Sequence, residues 1–394
     1  MELAYRLCDA DNHYYEAEDC YTRHIEPEFR SRTLQLVEQR DGTRKPMVDG
    51  REYTYLPNPF LHFGRPGQMK EFTELAKDGS LDPEVVTERF VEYVEPGARL
   101  ALMDQQGVEK ALIFPSLHIT TQPVFAHDLG LLNASMRAFN RWLLDDWKFD
   151  YEGRLFSAPC ISLHDPSAAV AELEWVLAHG ARIIDIDPGP HGGKSPADLS
   201  LDPFWARVQE AGLLVALHSS DTGYVRALSG MWGENPSPPV FEQSLWQWVC
   251  CWQPRAVTDS IVSMVHYNLF GRFPGLRILS IENGGDFLPS LCYNIDRAAV
   301  WSYSGPWPGG RLKDKPSEII RRHVWVSPWP DEDLDAIVRC MGAEHVLFGS
   351  DYPHPEGCRE PREFADSLAG MPATTVRKIM RDNLEGLLKG GGLH

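Results

Sequence analysis

The chain has 394 residues, 43% hydrophobic and 24% charged, which excludes a mainly disordered or fibrous protein and leaves one large domain with insertions or a few ordinary ones. Its 56 acidic against 38 basic side chains give a formal charge of -18; with no basic run to set against that excess, a nucleic-acid partner is excluded. No apolar stretch reaches the length of a membrane span, and Asp9 and Asp11 interrupt the N-terminal region before a signal peptide could form, so a cytoplasmic chain without a membrane partner is expected.

The first predicted strand covers residues 7–11 and ends in Asp9-Ala10-Asp11-Asn12-His13. Residues 27–96 do not follow it with a strand-and-helix rhythm; their mixture of charge, Pro and Gly, including Pro57-Asn58-Pro59, predicts a helical or loop insertion acting as a lid. From residue 109 onward, short apolar runs alternate with helical patterns. Strands are expected at 111–114, 156–161, 183–186, 213–217, 277–281, 324–326 and 346–348, and return helices at 166–178, 202–211 and 331–341, each with Pro or Asp near its start. Residues 224–258 form a second predicted insertion, after strand five, with a helix over 241–252. Its Trp232, Trp246, Trp248 and Trp252 either line a roomy apolar pocket or pack the insertion on the body of the protein. Eight cysteines make no disulfide framework or zinc knuckle, and the Gly390-Gly391-Gly392 tail should fray.

Eight strands with helices between them predict a (β/α)8 TIM-like barrel; an open doubly wound sheet loses its main support because no G-x-G-x-x-G follows the first strand. The whole chain, 1–394, is then one domain carrying both insertions. In such a barrel the active site lies where strands end. Ligand-type residues recur there: Asp9, Asp11 and His13 after strand one, His218 after strand five, Glu282 after strand six, and Asp351 within Gly349-Ser350-Asp351-Tyr352-Pro353-His354 after strand eight. Residues two apart on a strand share a face, so Asp9, Asp11 and His13 are expected on one side. Singly, each has a plainer explanation: Asp9 as a brace, His218 as a core histidine, Glu282 and Asp351 as turn residues. Their joint occurrence at separate strand ends favours a metal site.

With these residues in view, the chain resembles the amidohydrolase superfamily, in its branch of amidohydrolase-related hydrolases and non-oxidative decarboxylases. The stretch Leu347 to His354 carries the most specific likeness, and Gly271-Arg272-Phe273-Pro274-Gly275-Leu276-Arg277 a second. The resemblance implies a divalent metal ion (zinc, manganese or iron, one or two) held by Asp11, His13, His218, Glu282 and Asp351, with Asp351 and His218 catalytic. It implies hydrolysis or decarboxylation of an apolar, ring-containing carboxylate, amide or ester, with His191, His266 and Arg297 as candidate substrate contacts. The chain departs from the family pattern in carrying Asp11 in place of the first His of the pair and Glu282 at the strand-six position. Oxygen-rich ligands shift preference from zinc toward manganese or iron, so an alternative is a non-heme iron oxygenase on the same barrel. Glu16, His24 and His354 lie close to these residues in sequence, and a homo-oligomer is left open.

Overall fold

The computed structural model describes residues 3–56, 59–60, 64–78, 90–252 and 254–390; the expected loop at Pro57-Asn58 and the end of the glycine tail lie outside them. Strands β1 (Leu7–Tyr14), β5 (Val108–Pro115) and β6 (Leu155–Ser157) form one parallel sheet, and β7 (Ile183–Asp185), β8 (Leu214–His218), β9 (Arg277–Ile281) and β10 (Val324–Val326) form another. The parallel bridge Cys160–Asp185 joins the β6 and β7 sides directly, and the bridges Val326–Val346 and Asn12–Tyr352 join β10 to β1 through the segment at 346–352. Backbone bonds from Leu347 N to Val326 O and from Ala10 N to Phe348 O, both 2.8 Å, run alongside. The arrangement is a TIM-barrel-like α/β fold.

Residue parity along the strands shows which side is which. Ala10, Leu112, Phe114, Phe156, Ile183, Leu214, Ala216, Leu279, Ile281, Trp325 and Leu347 belong to one buried cluster. Their alternates, among them Ala111, Ile113, Ile184, Val215, Leu217, Ile278 and Val326, pack with helix residues such as Leu173, Phe204 and Ile261 in another. Strands buried on both faces explain why the sequence shows continuous apolar runs rather than alternation. Leu384, Leu387 and Leu388 of the helix Asn383–Leu388 join the inner cluster, and Arg182 and Arg277 donate to the carbonyls of Leu388 and Leu387 at 2.6 and 3.1 Å.

The return helices form where the sequence chemistry points. Pro166–Ala178 starts with a Pro after Asp165, whose carboxylate accepts from Ser167 N and Ala168 N, and Asp202–Ala211 ends at Gly212 with φ 61°, the left-handed stop that glycine adopts freely. The last return helix is Leu334–Met341 rather than 331–341: Asp333 caps it, while Glu332 instead accepts from Gly285 N, Asp286 N and Trp329 N at 2.8–3.0 Å.

The insertion regions differ in part from expectation. Residues 35–52 form a small antiparallel sheet, β2 (Gln35–Glu38), β3 (Arg44–Val48) and β4 (Arg51–Glu52), preceding a helix Met69–Asp78. Its hairpin turns at Asp41-Gly42, where Asp41 Oδ1 accepts from Thr43 N at 3.0 Å; an Asp-Gly pair between strand-forming residues is a hairpin signal that the helical expectation passed over. In the second region, Ser244 closes a capping box with Gln247, so the expected helix over 241–252 is shortened to Leu245–Cys251. The two regions meet: Val240 N donates to Tyr55 O at 2.7 Å, and Gln243 Nε2 to Tyr55 Oη at 3.2 Å. Among the described residues no helix is long and apolar enough to cross a membrane.

The inner cluster predicts a clear contrast. Leu279→Ala, which opens a void among the buried strand residues, should lower unfolding free energy by roughly 2–5 kcal/mol, whereas Trp232→Ala at a side chain 70% exposed should stay within about 0.5 kcal/mol; urea denaturation of the two variants checks both.

Candidate metal centre

The strand ends deliver the polar residues by specific local means. In β1 the pairing register with β5 shifts between Asp9 and Asn12. Cys8 and Ala10 face the inner cluster; after the shift, Asp11 and His13 take the inward direction and Asp9 is left behind. A register irregularity of this kind re-aims side chains near sites, and it corrects the expectation that Asp9, Asp11 and His13 share one face. Asp9 instead fastens β1 to the turn after the last strand segment: its carboxylate accepts from Ser350 N (2.9 Å), Ser350 Oγ (2.5 Å), Asn12 Nδ2 (3.0 Å) and Asp11 N (3.1 Å). His218 follows Leu214 and Ala216 in inward parity at the end of β8. Glu282 and Asp351 each occupy the left-handed region, at φ 57° and 56°, a backbone state non-glycine residues adopt at a cost and that concentrates at functional sites.

These residues converge. His13 Nε2 lies 3.3 Å from Asp11 Oδ1, 3.3 Å from Asp351 Oδ1 and 3.7 Å from Glu282 Oε2. His218 Nε2 lies 3.4 Å from Asp11 Oδ1 and 3.2 Å from Glu282 Oε2. The two rings are held from behind, since His13 Nδ1 faces Pro115 O at 3.1 Å and His218 Nδ1 faces Ser219 O at 2.9 Å. A carbonyl only accepts, so both Nδ1 atoms carry a proton, and each Nε2, when unprotonated, turns its lone pair to the cluster, the tautomer of a metal-bound imidazole. Asp11 Oδ1, His13 Nε2, His218 Nε2 and Asp351 Oδ2 are buried and have no hydrogen-bond partner in the protein. Buried polar atoms are rarely left so.

Charge explains what would complete the group. Three carboxylates beside two imidazoles cannot all stay ionised in a buried space unless positive charge, a proton on His218 or a cation, accompanies them. Burial, with Asp351 beside it, pushes Glu282 well above the ordinary carboxylate range, and burial, with Glu356 and Asp11, does the same to Asp351. Burial opposes charging His218, yet Asp11 and Glu282 hold its pKa up at about 9, whereas burial and His354 pull His13 down to about 3. The donor set fits a divalent cation: ligand atoms about 2.0–2.2 Å from an ion in a tetrahedral set lie roughly 3.3–3.6 Å from one another, close to the 3.2–3.7 Å seen here.

The amidohydrolase family model matches residues 9–388. The chain belongs to that family. It is 35% identical to an amidohydrolase from Mycobacterium avium subsp. paratuberculosis K-10 whose crystal structure superposes with a TM-score of 0.86, covering 98% of this chain and 100% of that one. A dihydroxybenzoic acid decarboxylase from Polaromonas sp. JS666, solved with bound manganese and the inhibitor 2-nitroresorcinol, superposes with a TM-score of 0.59 at 17% identity over 84% of this chain and 95% of that one. Among curated proteins, the 2-amino-3-carboxymuconate-6-semialdehyde decarboxylase of Dictyostelium discoideum is 23% identical over 205 residues, 48% of this chain. The match spans about half of that relative, 49% of its length.

The remaining candidates separate. His354, close only in sequence before, joins the group: its Nδ1 lies 2.9 Å from Asp351 Oδ1 and its Nε2 2.9 Å from Ser116 Oγ, which donates to Tyr14 O at 2.8 Å. His24 pairs at the surface with Asp145 at 2.6 Å. Glu16 is turned away, its carboxylate accepting from Leu117 N and His118 N at 2.9–3.1 Å. His266 ends the helix Arg255–His266 with its ring against Tyr267 and Trp307. Arg297 is exposed on the helix Phe287–Trp301, stacked over Tyr293 and Trp301. Neither lines either of the two cavities described at the strand ends. One cavity, of about 60 Å3, is bounded by Asp11, Glu282, Trp329, Asp351, Glu356 and Cys358. The other, of about 370 Å3, lies among the loops after β5, β6, β7 and β8 and includes His191. Trp232 and Trp248 line neither; they pair with Trp246 and Trp252 at 5.5 and 5.3 Å between ring centres. Sequence reading missed Asp185, whose Oδ1 accepts from His218 N at 3.3 Å; a carboxylate within Ile183-Ile184-Asp185-Ile186 was the available signal.

Glu16 gives a pH prediction. Burial raises its pKa to about 7 in the folded chain, above an unfolded value near 4.3, so between those values the native state binds more protons and stability falls as pH rises. The loss should reach on the order of 3 kcal/mol, and Glu16→Gln should flatten that slope in denaturation curves taken from pH 4 to 8; an unchanged slope rejects the assignment.

Proposed function

We propose that this chain is a metal-dependent decarboxylase or hydrolase of a ring-bearing carboxylate, amide or ester, built as one (β/α)8 barrel domain with both insertions covering its mouth. The observation that carries the reading is the convergence of ligand atoms of Asp11, His13, His218 and Glu282, all within 4.8 Å of one another; Asp11 Oδ1, His13 Nε2 and His218 Nε2 among them are buried without hydrogen-bond partners, and Asp351 Oδ1 lies 3.3 Å from His13 Nε2. Membership of the amidohydrolase family and relatives named as decarboxylases support the choice of chemistry. Manganese, reported in the Polaromonas structure, is the ion we assign, and it suits an oxygen-rich donor set.

Bound there, a divalent ion polarises a carboxylate or carbonyl and lowers the pKa of a water to about 7. The rest falls to side chains. Asp11, His13 and His218 would hold the cation, with the two rings set by Pro115 O and Ser219 O and β1 by the Asp9 clasp. Asp351, whose Oδ1 lies 3.3 Å from His13 Nε2 and 2.9 Å from His354 Nδ1, would join them and move the proton as base and then acid. In hydrolysis it deprotonates the attacking water and returns the proton to the leaving group; in decarboxylation it delivers a proton to the ring carbon that loses CO2.

Chelation should abolish turnover, and manganese should restore it, with one ion per chain by elemental analysis; two irons per chain would favour the oxygenase reading instead. Asp351→Asn should reduce kcat about 10²–10⁴-fold with an unchanged circular dichroism spectrum. Retained activity in that variant removes Asp351 from the proton path. Glu282→His, which supplies an imidazole where this chain has a carboxylate, should retain one ion and shift preference toward zinc; identical metal content in both proteins rejects Glu282 as a ligand.

A further inference from the structure

Two cysteines distant in the chain are brought level on neighbouring return helices. The helix Phe287–Trp301 follows β9 and the helix Leu334–Met341 follows β10. Both start at one clasp, because the Glu332 carboxylate accepts from Gly285 N and Asp286 N while Asp333 caps the second helix. A β-carbon on Gly285 would fall 2.8 Å from Ile337 Cδ1, so the two helices are in contact where they begin. Since β9 and β10 are parallel, the helices that follow them run back in the same direction. Cys292 is the sixth residue of the first and Cys340 the seventh of the second; at about 1.5 Å of rise per residue they stand at nearly the same height. Cys292 lies one turn beyond Leu288 and Cys340 one turn beyond Ile337, all packed in the same cluster, and the Cys292 thiol donates to the Cys340 sulfur.

The pair is asymmetric. Cys292 is buried, whereas Cys340 is partly exposed. Arg321, on the helix Pro316–His323, donates from Nε to the Cys340 carbonyl and lies beside its sulfur. The hydrogen bond from Cys292, with that guanidinium next to it, brings the Cys340 thiol down to about 6 against the opposing effect of burial. The same bond, together with burial, pushes the Cys292 thiol up. Burial also pushes up the thiols of Cys8, Cys20, Cys160 and Cys358, which keeps them in the unreactive form, because the thiolate is the nucleophile.

We propose that Cys292 and Cys340 form a peroxide-reactive dithiol, a modification site in which Cys340 attacks and Cys292 resolves. The Cys340 thiolate displaces hydroxide from hydrogen peroxide: an S–O bond forms, the O–O bond breaks, and the hydroxide takes up a proton as water. The Cys292 sulfur then attacks the Cys340 sulfur of the sulfenic acid, and its proton leaves with the departing hydroxyl as a second water. Two thiols lose two electrons, one peroxide becomes two waters, and a disulfide staples the helices that follow β9 and β10. A thiol reductant reverses the bond by exchange. None of these atoms takes part in the proposed metal chemistry, so the site stands or falls separately from it.

The test is peroxide treatment of the reduced full chain, followed by thiol titration in denaturant and peptide mapping. Two of the eight thiols should be lost, the mass should fall by two hydrogens, and one cross-linked peptide pair should contain Cys292 and Cys340; dithiothreitol should restore all eight. Cys292→Ser, whose hydroxyl keeps a donor toward Cys340, should halt the reaction at a Cys340 sulfenic acid that dimedone traps, and Cys340→Ser should give neither cross-link nor trapped adduct. A wild-type chain that keeps all eight thiols, or that cross-links a different pair, overturns the proposal whether or not the variants fold. A dimedone adduct on Cys292 in Cys340→Ser overturns the assignment of Cys340 as the attacking thiol.

Discussion

Asp11, Glu282 and Asp351 are buried together around two imidazoles, and the surroundings of the site answer to that crowding. Like charges at such spacing disfavour one another's ionised forms, so the group must hold protons or a cation. A site that exchanges freely between those states would be geometrically loose, and the protein prevents this with bonds that point at the ligands from behind. Pro115 O and Ser219 O fix the imidazole tautomers, Asp185 accepts from the amide of His218, and Asp9 ties β1 to Ser350, one residue before Asp351. Such outer bonds orient metal ligands as surely as the ligands' own positions do.

The same crowding accounts for the backbone at the site. A regular β1 would keep Asp11 and His13 in the parity opposite to Cys8 and Ala10; the register shift turns them inward. Glu282 and Asp351 enter from the left-handed region, which lets a residue just past a strand double back toward the centre. Neighbouring loops are then locked against each other. The Glu332 carboxylate, from the segment after β10, holds the amides of Gly285 and Asp286, from the loop that carries Glu282. A β-carbon at Gly284 would fall 2.6 Å from Glu332 Oε1 and 2.9 Å from Trp329, so glycine is required by the close approach as well as by its φ of 68°.

Much of this was legible because strands and return helices carry local signatures. The strands at 277–281 and 324–326 and the helices at 166–178 and 202–211 have the limits expected from apolar runs, prolines and caps. Ligand-type residues at strand ends marked Asp11, His13, His218, Glu282 and Asp351 as a group before any coordinates. What sequence did not show depends on distant partners. The role of Asp9 follows from Ser350, 341 residues away, and the period-two rule could not foresee a register shift. For His266 and Arg297 a helix position says nothing about which side faces the mouth. The small sheet at 35–52 was missed because short polar strands lack the apolar alternation on which the reading relied.

The carboxylate at position 282 sets the charge balance of the candidate metal centre. Three ionised carboxylates against the two charges of a divalent ion leave one negative charge, where an imidazole at 282 would leave none. On the proposed reading, a substrate carboxylate would meet that residual charge at short range, and in a buried site the repulsion is far stronger than it would be in water. Entry would then require either that Glu282 or Asp351 take up a proton, which burial favours in both, or that a cation arrive with the substrate.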